Sequence, residues 1–118
     1  MPLIKNGDIV FQDRSPGIKL RQMVTEKTGS RAAIVGEALM APGTSLDSHN
    51  HDIEEAIFIL EGEGEGVLGD ETSKLEQGDT ILAPPGVKHR IINTGKQTLR
   101  FVFFYPACQV QTERFKNE

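Results

Sequence analysis

The apolar positions of this chain fall in short runs between closely spaced glycines and prolines. Breakers recur at Gly7, Pro16-Gly17, Gly29, Gly36, Pro42-Gly43, Gly62, Gly69, Gly78, Pro84-Pro85-Gly86 and Gly95, and few of the gaps would hold a three-turn helix. Between the breakers lie β-rich segments at 18–24, 32–40, 56–60, 80–83, 89–92 and 99–105. Many short strands at such spacing predict an all-β sandwich or barrel. One segment also fits a helix: Ile53, Ala56, Ile57 and Leu60 match the i, i+3, i+4, i+7 template. Residues 56–60 are apolar at every position, however, and the run is short, mostly β-branched or aromatic, and ends at Gly62. It reads as a buried strand.

The run 99–105 is nearly continuous in its apolar character. Alternation puts Leu99, Phe101, Phe103 and Tyr105 on one face and Arg100, Val102 and Phe104 on the other. A strand apolar on both faces is sandwiched between layers or covered by a partner, and the second option points to a dimer. Beyond Pro106 the chain turns polar, and its last few residues are expected to fray. Gly64-Glu65-Gly66-Val67-Leu68-Gly69 has the letters of a dinucleotide fingerprint. Its flanking acids, Glu61, Glu63, Asp70 and Glu71, would repel a pyrophosphate, and no helix opens on it. A hairpin with Gly69-Asp70-Glu71 at its tip is the simpler reading.

Composition narrows the class. A chain of 118 residues has the size of one domain, with its core expected at about 18–106 and no linker or internal repeat. Its apolar fraction of 37%, before its 12 Gly are counted, and its charged fraction of 25% are those of ordinary globular proteins. A net charge of −4 argues against a nucleic-acid partner. No apolar run is long enough to span a bilayer, and the N-terminus lacks the apolar stretch of a signal peptide, so a cytoplasmic protein without a membrane partner is expected. Cys108 is the only cysteine, which excludes an internal disulfide; it reads as a small, near-buried residue. There is no Gly-x-Ser-x-Gly elbow and no His-Glu-x-x-His helix.

The chemistry concentrates in three histidines. His49 and His51 are one residue apart, so on a strand both rings leave the same face. Glu55 follows just before the apolar run, and His89 comes after the Pro84-Pro85-Gly86 turn. Three imidazoles and a carboxylate suit Fe(II), Mn(II), Ni(II), Cu(II) or Zn(II). Taken alone, two near histidines beside acidic residues also read as a solvated turn.

The spacing around them resembles the two motifs of the cupin superfamily. Gly43, five residues, His49-Asn50-His51, three residues, Glu55, six residues and Gly62 match the first motif, over 43–62. Gly78, five residues, Pro84-Pro85-Gly86, two residues, His89, three residues and Asn93 match the second, over 78–93. The resemblance implies a double-stranded β-helix, or jelly-roll, barrel with one divalent transition metal ion (Fe, Mn, Ni, Cu or Zn) held by His49, His51, Glu55 and His89. The family spacing selects Glu55 over the adjacent Glu54. Gly43, Gly62, Gly78, Gly86 and Asn93 are expected to serve turns rather than chemistry.

A four-ligand set on an octahedral metal leaves positions for a small-molecule substrate. The expected function is a metal-dependent enzyme of dioxygenase type, with a small apolar pocket lined partly by Phe101, Phe103 or Tyr105. A Lewis-acid sugar isomerase, epimerase or lyase is the alternative; it would need a base beside the metal, for which Lys88 and Glu37 are available. A non-enzymatic cupin that binds a small ligand is the third reading. The family's habit of pairing sheets implies a homodimer.

Overall fold

The computed structural model describes residues 2–115; the final residues 116–118, expected to fray, lie outside the described part. Eleven strands form: β1 (Gln12–Ser15), β2 (Ile18–Val24), β3 (Ile34–Met40), β4 (Ser48–His51), β5 (Glu55–Glu61), β6 (Gly64–Leu68), β7 (Glu71–Leu75), β8 (Thr80–Ala83), β9 (His89–Ile92), β10 (Leu99–Tyr105) and β11 (Thr112–Phe115). Among the described residues the only helical pieces are 3₁₀ turns at Asn6–Asp8 and Glu26–Thr28. The dense breakers favour this, because few gaps leave room for a helix long enough to bury a face.

The strands make two antiparallel sheets. One is ordered β1-β2-β3-β10-β5-β8 and the other β11-β4-β9-β6-β7. Consecutive strands such as β4 and β5 sit in different sheets, and this crossing between layers is the jelly-roll arrangement. The ambiguous segment 53–60 is strand from Glu55 onward, paired with β10 on one side and β8 on the other.

Alternation decides which side chains meet between the sheets. Along β10, Leu99, Phe101 and Phe103 are buried, whereas Phe104 on the opposite face is exposed. They pack with Ile18, Ala38, Met40, Ile57, Ile59 and Ile91 in one cluster. Truncating a ring such as Phe101 to Ala there would cost roughly 3–5 kcal/mol. Gly36 shows how tight the layer is: a Cβ at that position would stand 2.0 Å from the Phe103 ring. The turn after β5 has a similar demand, since Gly62 has φ +90° and its missing Cβ would lie 2.8 Å from the Thr98 carbonyl. Asn93 is the turn-former it was expected to be. It is fully buried, its amide donates to the Met40 and Gln97 carbonyls, and its oxygen accepts from the Gly95 amide.

Three features differ from the sequence-based picture. The hairpin β6–β7 forms, but Leu68 pairs with Glu71, so its tip is Gly69-Asp70 and Glu71 already belongs to β7. An edge strand, β1, forms from the polar run Gln-Asp-Arg-Ser. The polar tail supplies β11, paired with β4 from Thr112–His51 to Phe115–Ser48. Both missed strands are sheet edges with little to bury, so neither carries an apolar alternation to read.

Candidate metal centre

Local geometry brings the four predicted residues together. In β4, His49 and His51 are the two buried positions, as their i, i+2 spacing requires. His49 stands directly opposite His89, the first residue of β9, across the antiparallel pair. The chain then leaves β4, turns over residues 52–54, and enters the facing sheet at Glu55. One sheet therefore supplies three imidazoles, and the other brings a carboxylate against them. One donor atom from each residue lies within 4.8 Å of all the others, and all four residues are buried. Glu54 is exposed, so the adjacent acid takes no part.

Each ring is held at its far nitrogen. The Nδ1 of His49 donates to the Asp47 carbonyl at 2.7 Å, and that of His89 to the Val87 carbonyl at 3.0 Å. A carbonyl only accepts, so both Nδ1 atoms carry hydrogen and each Nε2 of a neutral ring presents a lone pair to the centre. The Nδ1 of His51 instead bonds the Thr112 hydroxyl at 2.8 Å, reaching the strand that the sequence had not disclosed. Thr112 is the functional residue sequence reasoning missed. A threonine in a polar tail gives no signal until its pairing opposite His51 is known.

Charge completes the description. Burial, with the neighbouring rings His89 and His51, lowers the His49 pKa to about 4, so this ring is neutral at physiological pH. Burial pushes Glu55 upward, but its hydrogen bonds with His51 and His89 outweigh that and hold it at about 2, so it is ionised. Burial, followed by the Glu55 charge, pushes the Tyr105 phenol well above its ordinary value and keeps it protonated. Its hydroxyl lies 3.2 Å from Nε2 of His51.

The donor set fits a cation. Oε1 of Glu55 lies 2.8 Å from Nε2 of His89 and 3.1 Å from Nε2 of His51. A hydrogen bond from His89 at that distance would require a second proton on its ring, because Nδ1 is already donating. Two cis ligands at about 2.0–2.1 Å from one ion are about 2.9 Å apart. A shared cation thus satisfies both atoms at the observed spacing, and outer partners on every Nδ1 are the usual accompaniment of metal-bound imidazole.

A cavity of about 340 Å³ reaches His89 from the β7–β8 side, lined by Ile57, Gly66, Leu75, Ile81 and Ile91. The expected aromatic lining is thus corrected. Phe101 is spent in the core, Phe103 faces a different cavity, and only Tyr105 approaches the imidazoles. The two candidate bases are also elsewhere. Glu37 lies buried on the outer face of its sheet, bonded to Arg21 and Arg100, and Lys88 lies over the Phe115 ring.

A family model described as the cupin domain matches residues 36–105. The chain belongs to the cupin family. This cupin is 33% identical over 104 residues to polyketide synthase CurC of Streptomyces cyaneus, covering 86% of the chain and 68% of that protein. Its fold is similar to that of the polyketide cyclase RemF from Streptomyces resistomycificus, with a TM-score of 0.85, 26% identity, and coverage of 100% of this chain and 87% of the other. It is also 32% identical over 97 residues to a gentisate 1,2-dioxygenase of Ralstonia sp, covering 81% of this chain but 26% of that enzyme. Among the described residues, no helix is long and apolar enough to cross a membrane.

Proposed function

We propose that this cupin is a metal-dependent enzyme acting on a small, enolisable oxygen compound of the polyketide type, with His49, His51, Glu55 and His89 as the ligands of one divalent ion. The observation that carries the reading is the convergence of three imidazoles and the Glu55 carboxylate, with Nε2 of His89 2.8 Å from Oε1 of Glu55, beside an apolar cavity. Such an ion supplies Lewis-acid polarisation of a carbonyl or enolate oxygen and, if redox-active, a route for electrons to dioxygen. The protein's own part is orientation and exclusion of water. Ile57, Ile81 and Ile91 offer an apolar bed for the carbon skeleton, and the protonated Tyr105 hydroxyl stands 3.2 Å from Nε2 of His51.

Ring closure is the reaction the reading favours, supported by relatives named for polyketide synthesis and cyclisation that match along most of this chain. Dioxygenation, the expectation from the ligand set, stands second; a gentisate 1,2-dioxygenase supports it over a quarter of that enzyme's length. The sugar-isomerase reading stands third, because Glu37 is bonded to Arg21 and Arg100 and Lys88 lies over the Phe115 ring. An oxygen-electrode assay of metal-loaded protein with linear 1,3,5-tricarbonyl compounds and dihydroxybenzoates separates the two. A cyclised product that forms without oxygen uptake supports the first, and oxygen consumption with two oxygen atoms in the product supports the second. Metal-dependent binding without turnover would overturn both and leave a ligand-binding protein.

The expected homodimer belongs to the same proposal. Phe58, Leu82 and Phe104 are exposed on the outer face of β5, β8 and β10, where Phe104 and Leu82 both flank Ala56. Light scattering of the wild type and of Phe104→Glu tests it: a dimer that becomes a monomer supports the pairing, and a monomeric wild type refutes it.

A further inference from the structure

The second opening of the sandwich differs in character from the apolar cavity at His89. It lies where β1 and β11, edge strands of the two sheets, approach each other. Arg114 of β11 is in register with His49, and residues directly opposite in an antiparallel pair share a face, so its side chain leaves the strand on the side of the imidazoles. Arg14 comes from the irregularity in β1 between Asp13 and Ser15. Both arginines line one cavity of about 360 Å³, floored by Ile18 and Leu46. Arg14 also borders a neighbouring cavity of about 440 Å³ that reaches Leu20 and Phe103, so it stands where the two meet.

Both arginines are exposed, and both line this one cavity. Arg21 and Arg100, the paired arginines of this region of the fold, both bond Glu37. Among the described residues neither Arg14 nor Arg114 has an ion pair within 4.0 Å or a side-chain hydrogen bond, although the chain carries 17 acidic against 13 basic residues. Asp47 lines the same cavity but pairs with neither. Burial, and then the like charge of Arg14, lowers the Arg114 pKa, while Tyr105, Asp47 and Glu55 act on it in the opposite sense. Arg114 therefore feels both the second arginine and the side chains of the candidate metal centre. Two like charges lining one cavity repel weakly through solvent, and a carboxylate placed between them would accept hydrogen bonds from both.

We propose that Arg14 and Arg114 form a carboxylate-binding subsite at the mouth of the metal centre, so that the substrate is an acid, held by its carboxylate here and by its carbonyl oxygens at the metal. The proposal rests on the reading of the centre as a metal site for an oxygen-rich substrate, and it narrows that substrate to β-polyketo acids or aromatic acids over their neutral counterparts. Planar guanidinium groups suit a carboxylate because each can donate two parallel N–H bonds.

The test is calorimetric titration of cobalt-loaded protein with 3,5-dioxohexanoate and with its uncharged methyl ester. Wild type should bind the acid about 10-fold or more tightly than the ester, as expected for hydrogen bonds to a charged group. Arg14→Gln and Arg114→Gln should each shrink the preference, the double variant should abolish it, and Arg114→Lys should keep part of it, all at unchanged cobalt content. Equal binding of acid and ester by wild type, or a preference that survives in the double variant, overturns the subsite. The two readings fail separately. Acid preference without turnover leaves the subsite standing and removes the enzyme; turnover without acid preference does the reverse. If neither probe binds to cobalt-loaded wild type, both are overturned.

Discussion

Two glutamates are buried among the described residues, and they have opposite surroundings. Glu37, on the outer face of β3, is 3% exposed and sits between the guanidinium groups of Arg21 and Arg100. The N-terminal segment closes over it, since Arg21 also donates to the Asn6 and Ile9 carbonyls and lies against the Phe11 ring. Glu55, at the start of β5, is 4% exposed and faces imidazole nitrogens. Guanidinium is charged at every accessible pH, so Glu37 is neutralised within the fold. Glu55 instead belongs to a group of four side chains whose donor atoms could hold a cation. One carboxylate is paired with arginines inside the fold, and the other belongs to the candidate metal centre.

The largest effect should come from Glu55→Gln. Metal affinity, measured by competition with a chelator, should fall by at least about 100-fold, beyond the 10–100-fold typical of an outer partner. The metal-free protein should lose stability as well, because the hydrogen bonds that hold Glu55 ionised weaken with the loss of its charge. Glu37→Gln should differ in leaving metal affinity unaltered while losing about 2 kcal/mol in denaturant unfolding. That figure lies below the usual cost of breaking a buried pair because Arg100 is partly exposed and screened.

The pH dependence follows from the same pair of arginines. Burial raises the Glu37 pKa, but hydrogen bonds from Arg100 and Arg21 bring it below its ordinary value of 4.5. A depressed folded pKa stabilises above the unfolded value, and that stabilisation is lost as pH falls through the folded value. Wild type should therefore exceed Glu37→Gln in stability at neutral pH, and the two should converge as pH falls through the lowered Glu37 value. A constant gap at all pH values would contradict the charged pairing.

Smaller changes sharpen how the imidazoles are held. Thr112→Val removes the hydroxyl from His51 Nδ1 and should weaken metal binding about 10-fold, with Thr112→Ser near wild type. Asp47→Ala should change metal affinity less than about twofold, because the bond to His49 comes from the backbone carbonyl, which alanine retains.

This contrast also explains what could be read from the chain alone. The strands β2, β9 and β10, each paired on both sides, appear at the expected positions, because their apolar positions have a core to meet. The four donors were legible through the motif spacings over 43–62 and 78–93 that resemble the cupin pattern, while strand alternation by itself gave only the shared face of His49 and His51. The edge strands β1 and β11 were hidden, since their side chains are mostly exposed and their pairing is written in backbone hydrogen bonds. With them were hidden Thr112, Arg14 and Arg114, which lie far in sequence from the motifs they adjoin. The facing of Glu37 was equally unreadable, because a lone acid in an apolar strand says nothing of which layer its neighbours cover.

The most direct measurement is elemental analysis of purified protein reconstituted with a divalent transition metal and freed of excess. The account predicts about one ion per chain in the wild type and none in His49→Ala. A wild type that retains no ion, or a His49→Ala protein that retains as much, would contradict it.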